Sequence, residues 1–552
     1  MTRCARTALS VLSLVLLGCS SQPAAHHGAA GAGAAAPMLL DGLGSYHQAV
    51  TTSSPQAQAY FDQGLRLVYA FNHIEGEAAF REATRLDPAC AMCYWGIAIT
   101  QGSNYNSPTD AEREKVAYGA VQEALSLSVK ATPRERANIE ALAKRHSAQP
   151  GAERAALDRA YADAMREVAR SFPDDLDAAT LFADALMNLR PWDLWKPDGA
   201  MQPETQEILA TLERVLVANP RHPGALHLYI HAVEGGPTPG QGEAAADRLG
   251  PLMPGAGHLV HMPAHIYWRV GRYEDAVQAN ILAVKADQAY FAKRDPSPIY
   301  RGLYYPHNID FIWQSASMEG RSAETVRAAR QFAESAPVAM VREMSDMETA
   351  PAAPYFALAR FGRWEEILSQ PAPPAEFPYV TGAWRYSRGL AFIATGRRAE
   401  AEVELVEIQK LATSVPAERT LAGFFKTKTI LGLADNVLAG EIAARTGQTD
   451  VAIQHLLAAV AEQDGHWFTE PPVWYFPVRQ SLGAALLSGG RPVEAEAVYR
   501  DDLKRNPNNG WSLFGLAQSL QAQGKVAEAD AVHARFQKAW TLADVTLSAS
   551  RF

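Results

Sequence analysis

Seven of the chain's 15 histidines fall between His222 and His307. Their spacing is that of metal ligands. His227 and His231 stand four apart, so on a helix both imidazoles share a face and can chelate one ion. His258, His261 and His265 repeat at i, i+3 and i+7, again a single helix face. His307 follows 42 positions later. Imidazole suits zinc or copper. Glu234 and Asp310 accompany the histidines, and a carboxylate there can orient a ligating ring or act as a general base on a metal-bound water. The chemistry would then be metal-dependent hydrolysis. Leu228 stands where zincin proteases carry the glutamate beside their first histidine, so protease chemistry does not transfer. Against a metal, a lone buried histidine is usually a satisfied core residue, and histidines in a groove also bind peptide carboxylates and backbones.

These residues must be positioned by helices. Alternating β-branched runs between turn pairs are missing, so strands are not expected. The window from Tyr60 to Pro88 places Tyr60, Gly64, Gly76, Phe80, Ala83 and Pro88 at the spacing of a helix pair. Small residues sit where the two helices cross, an aromatic fills the gap toward the next pair, and proline stops the second helix. The spacing recurs around Gly271 with Ala276, Gly320, Gly362, Gly396 with Ala401, Gly447 with Ala452, and Gly490 with Ala495 and Tyr499; it opens once more at Gly524. The windows resemble tetratricopeptide repeats. The resemblance implies an all-α, tetratricopeptide-type solenoid of roughly nine to eleven helix pairs at about 34 residues each. Such an array is elongated and curved, and stacked neighbours stabilise it.

In this repeat type the first helix of each pair lines the concave face. Phased from the glycines, alanines and Pro220, three successive first helices aim His227, His231 and Glu234, then His258, His261, His265 and Trp268, then His307, Asp310 and Gln314, at one stretch of groove. Residues 222–234, 257–267 and 304–308, with Cys90–Gly96 and Asn509–Leu516, further resemble a bacterial family of tetratricopeptide proteins; the resemblance implies the fold and brings no assigned chemistry. Two functions stay open. One is a scaffold, not an enzyme, that binds a protein or peptide through a groove containing Trp268, Asp310, Gln314 and Glu234. The other is a zinc or copper protein, or a metal-dependent hydrolase, using the six histidines 227, 231, 258, 261, 265 and 307. No cofactor is required by the first.

Cys90-x-x-Cys93 opens a helix, where thiol pKa values fall. The pair can be a structural disulfide, a redox couple or a metal ligand set; a structural disulfide or buried thiol pair is the simplest. Two aromatic loops, around Trp192–Trp195 and His466–Tyr475, can fold over a ligand.

The chain start reads as an export signal. Arg3 and Arg6 precede a short apolar stretch ending in Leu-Leu-Gly-Cys, which resembles a bacterial lipobox. The resemblance implies a signal peptide over 1–18, lipidation of Cys19, and, with Ser20 next, an outer-membrane lipoprotein facing the periplasm. Residues 19–45, with His26–His27 and an Ala/Gly run, read as a flexible tether. The body then spans 46–545, as N-terminal repeats over 57–220, His-rich central repeats over 221–335 and C-terminal repeats over 350–545. Net charge is −9 over 552 residues with no basic run. Nucleic acid is therefore not expected as a partner, and membrane contact is expected through the anchor alone.

Overall fold

A computed structural model describes residues 38–149, 152–466 and 468–552. The export signal, Cys19 and His26–His27 lie outside the described residues, as does Trp467. The fold is an all-α helical solenoid. Helix follows helix from Pro55–Tyr69 to Val526–Ala539, and most pack on their immediate sequence neighbours. The repeat logic is visible at Phe80, which is fully buried between two glycines. A Cβ on Gly64, in its own pair, would stand 2.7 Å from its ring, and one on Gly96, in the next pair, 2.2 Å. Tyr499 repeats this with Gly483 and Gly515, at 2.4 and 2.2 Å. A larger residue at any of these glycines would wedge two helices apart in a close-packed interior.

Three features depart from the sequence reading. A minimal hairpin, Thr420–Leu421 paired with Phe425–Lys426, appears where no strand was expected. It is held by Ala422 and Gly423 at positive φ, a turn too short for periodicity to reveal. Next, the tether drawn to residue 45 runs too far. Leu43 is buried, the Leu40 N–H donates to Gln63 Oε1 at 2.6 Å, and the Tyr46 hydroxyl donates to Asp177 at 2.7 Å. Composition averaged over the Ala/Gly run hides these few anchoring side chains. Finally, the concave face is not open at the histidines. The C-terminal repeats return onto the central ones: Trp511 Nε1 donates to the Ser317 carbonyl at 2.8 Å, and the Asp544 carboxylate accepts from the Ser322 and Ala323 amides at 2.7 and 2.9 Å. Gly271, at φ 75°, lies so close to the Pro507 carbonyl that a Cβ would come within 2.1 Å of its oxygen. From the other side, Tyr69 packs on Gly224 at the start of the helix Pro223–Glu234. The central repeats are thus enclosed by both flanks. No helix among the described residues is long and apolar enough to cross a membrane.

Candidate metal centre

Three central helical stretches carry the histidines. Pro223–Glu234 begins with His222 as its cap: Nδ1 of His222 accepts the Ala225 N–H at 3.2 Å. His222 therefore serves the helix start, while His227 and His231 sit one turn apart and Glu234 closes the helix. The second stretch, Gly257–His261 followed by Pro263–Val270, is interrupted by Pro263. Met262 keeps right-handed helical dihedrals across the break, so His258, His261 and His265 remain on one side. The third, Tyr305–Met318, carries His307 just after a π-helical turn at Tyr300–Tyr304, a distortion frequent at functional sites.

The six histidines form two groups of three: His227, His231 and His258, and His261, His265 and His307. Within each, one ligand atom per residue lies within 4.8 Å of the others. A third group, Glu234, His265 and Glu470, shares His265 with the second. The two trios meet edge to edge, with ring centroids 5.8 Å apart for His231 and His265 and 5.9 Å for His258 and His261.

The hydrogen bonds fix how four of these rings are protonated. The Nδ1–H of His227 donates to the Tyr69 carbonyl at 2.7 Å. Those of His231 and His265 donate to the two oxygens of Glu234, at 2.8 and 2.5 Å. That of His261 donates to Asn280 Oδ1 at 2.7 Å, and the Asn280 amide is oriented by its own Nδ2 donating to the Ala276 carbonyl at 2.8 Å. Each ring therefore turns its Nε2 inward, the second-layer pattern that orients metal-ligating imidazoles. Nε2 of His227, Nε2 of His231 and both nitrogens of His258 have no hydrogen-bond partner although buried. Nε2 of His261 and Nε2 of His265 face each other at 2.8 Å. Two lone pairs at that distance repel unless a proton or a metal ion lies between them. Two nitrogens bound to one tetrahedral zinc would be about 3.3 Å apart, from bonds of about 2.0–2.1 Å.

Burial holds the His227, His258 and His261 imidazoles well below the usual histidine range, lowers His231, and brings His307 down to about 3. These rings are neutral, the form that ligates. Burial opposes ionisation of Glu234, but the imidazoles of His265 and His231 outweigh it and hold that carboxyl low. Burial and the neighbouring Glu234 push Glu470 the other way, well above the carboxylate range, and both its oxygens lack a hydrogen-bond partner, with His265 Nδ1 3.5 Å and Arg269 Nε 4.0 Å away.

A cavity of about 230 Å³ opens against this cluster. His231, His258, His265, His307 and Glu470 form one side of it. Its other walls are largely aromatic, including Trp192, Tyr304, Trp313, Phe356 and Phe468. Both aromatic loops fold in: Trp192 lines the cavity at φ 61°, and residues 468–473 with Tyr475 cover it. Phe71, also at positive φ (54°), lies against His227, with ring centroids 4.4 Å apart. A left-handed backbone at a bulky residue costs roughly 1–3 kcal/mol and persists only where surroundings demand it.

The other sequence candidates divide. Asp310 and Gln314 line the cavity. The Asp310 carboxylate accepts from Trp313 Nε1 at 2.6 Å and Gln314 Nε2 at 3.0 Å, rather than from a histidine, and burial pushes it up to about 6. Trp268 is a correction. It is buried against Tyr273 and Phe311, away from the cavity, because its position on the helix turns toward the neighbouring pair. Cys90 and Cys93 form a fully buried disulfide. Metal ligation needs a thiolate and redox exchange needs an accessible sulfur, and the pair offers neither. Sequence reasoning missed Glu470, the Tyr69 carbonyl, Phe71 and Asn280. Only Glu470 left a trace, as a lone carboxylate within an aromatic loop.

No known family and no curated protein matches the chain. Among solved structures, the human IFIT1 dimer with m7Gppp-AAAA is 13% identical with a TM-score of 0.30, covering 88% of this chain and 90% of its own. The human IFIT1 dimer with PPP-AAAA is 13% identical with a TM-score of 0.32, covering 88% and 91%. Likeness at this level extends to helical-repeat architecture and carries no argument about ligands of this chain. It does correct one expectation. Those arrays were solved with nucleic-acid ligands, so absence of basic runs and a net negative charge do not exclude nucleic acid from a fold of this kind. Binding depends on local potential, which whole-chain charge does not report.

Proposed function

We propose that this helical-repeat protein is a metalloprotein holding a pair of transition-metal ions in its two histidine trios, next to a largely aromatic cavity for a small ligand. One observation carries the reading: the His227 and His231 rings are pinned through Nδ1–H so that their buried Nε2 atoms, beside both nitrogens of His258, are left without a hydrogen-bond partner. A core built only for stability would pair these nitrogens, because an unpaired buried polar atom costs about 1–3 kcal/mol. The same burial weighs against a peptide scaffold that uses these residues, since a peptide in an open groove cannot reach them. Export and anchoring through Cys19 belong to this reading, and place the centre outside the cytoplasm.

The test is metal content. The full chain, purified in detergent, equilibrated with zinc or copper and desalted, is expected to retain about two ions, as in two-metal sites. A His227→Ala/His261→Ala variant that still folds by circular dichroism is expected to retain none or one. Natively folded wild-type protein that retains no metal would overturn the proposal.

A further inference from the structure

The cavity beside the trios has a size, a wall and an unused acceptor that together specify its occupant. Resting on the reading above for the cavity's role as a ligand site, we propose that this occupant is a planar, fused aromatic of the indole class, held through its N–H by Asp310.

Volume sets the size. A dry protein cavity of about 150 Å³ takes up one benzene. Scaled by ring atoms, nine against six, a fused bicycle such as indole calls for about 225 Å³. This cavity offers about 230 Å³. A single bare ring leaves it underfilled and forfeits dispersion contacts with the far wall. Three fused rings overfill it.

The walls select an aromatic. Ten aromatic side chains border the cavity, among them Trp192 and Phe468 from the two loops and Trp313, Phe356 and Tyr379 from three helices. An aliphatic ligand of equal area would lose the edge and offset stacking that such rings add to burial. No lysine or arginine stands among the described lining residues, so the walls hold no cationic side chain for a ligand's carboxylate or phosphate.

Asp310 supplies the polar contact. Both hydrogen bonds that its carboxylate accepts, from Trp313 Nε1 at 2.6 Å and Gln314 Nε2 at 3.0 Å, fall on Oδ1. They fix the carboxylate in the cavity wall and leave Oδ2 to a ligand. An N–H brought out of water needs such an acceptor, and indole carries only one N–H to satisfy. Glu470 also has oxygens without a hydrogen-bond partner, but they stand with Glu234 and His265 in a possible ligand group, to which Asp310 does not belong. His307 precedes Asp310 by one turn of the same helix, so the N–H edge of the ligand lies on the side of the second trio.

Isothermal calorimetry with indole and benzofuran tests this on the full chain in detergent, metal-free and zinc-equilibrated, against a protein-free detergent blank. Benzofuran keeps the fused ring but has an oxygen where indole has its N–H. One indole per chain is expected in both forms, bound at least about tenfold more tightly than benzofuran. In Asp310→Asn, Trp313 and Gln314 hold the side-chain oxygen, so the NH₂ faces the ligand. The preference for indole is then expected to vanish while benzofuran binding persists, which shows the cavity to be intact. Should that variant fail to fold, the wild-type preference alone decides. No indole binding, or equal affinity of the wild type for the two compounds, overturns the proposal, as does a variant that keeps the preference. Zinc retained at about two ions per chain without indole binding leaves the metal centre standing and this inference refuted. Indole bound by a chain that retains no metal does the reverse.

Discussion

Replacing Glu234 with glutamine tests the geometry most directly. The carboxylate accepts two Nδ1–H groups at once, from His231 at 2.8 Å and His265 at 2.5 Å. Glutamine is nearly isosteric but offers one oxygen and one NH₂ group. One imidazole then keeps its acceptor. The other faces a donor and must either leave its N–H unpaired, at about 1–3 kcal/mol, or move its proton to Nε2. In the second case the ligating lone pair is gone from the side that faces the metal. Either route weakens one trio by the tenfold to hundredfold typical of second-layer changes, about 1.4–2.7 kcal/mol. The assay is competition for zinc between the protein and a chelator of known affinity, run alongside thermal melting of the metal-free protein. Glu234→Asp, which keeps both acceptors, serves as the control. Unchanged zinc affinity in Glu234→Gln, with wild-type melting, would refute the claim that Glu234 fixes the ring tautomers.

Further outcomes follow from the same contacts. In Gly257→Ala the new Cβ would sit 1.9 Å from Asp287 Oδ1, a carboxylate held by the Tyr300 hydroxyl at 3.0 Å and Asn308 Nδ2 at 2.7 Å; the helix start carrying His258 and His261 must shift, costing roughly 1–3 kcal/mol, and a melting temperature matching wild type would show the contact to be slack. The metal-free protein is expected to lose stability in acid. The folded pKa values of the buried histidines lie below the unfolded value of about 6.5, so their stabilisation is complete above that pH and declines as pH falls through it, by up to about 1.4 kcal/mol per unit for each neutral ring, down to about 3 for His307. Urea midpoints that stay flat from pH 8 to 5 would contradict neutral burial. Trp511→Phe strands the Ser317 carbonyl and loosens the return of the C-terminal repeats, an expected loss of about 1–3 kcal/mol in chemical denaturation. Replacing both Cys90 and Cys93 by serine opens only a short loop and is expected to cost about 2 kcal/mol without changing metal content; a coupled loss of metal would mean the pair supports the centre.

What the sequence determined by itself is local. Glycine against aromatic at Gly64, Phe80 and Gly96 specifies a helix crossing, because only a missing side chain lets the helices meet. The i, i+4 spacing of His227 and His231, and the i, i+3, i+7 spacing of His258, His261 and His265, place rings on shared faces whatever the rest of the chain does. The all-α solenoid and the histidine-rich stretch were legible for that reason. Tertiary structure decided the rest. Glu470 comes from 205 positions beyond His265, and the Tyr69 carbonyl from 158 positions before His227. No local pattern encodes those meetings, since the path of a solenoid is a sum of small rotations between neighbouring pairs. That path brings both flanks over the central repeats, and with them the burial that keeps the imidazoles neutral. An open histidine-lined groove becomes a closed centre through contacts such as Trp511 with Ser317, each between residues that the repeat signature treats as interchangeable with their counterparts elsewhere.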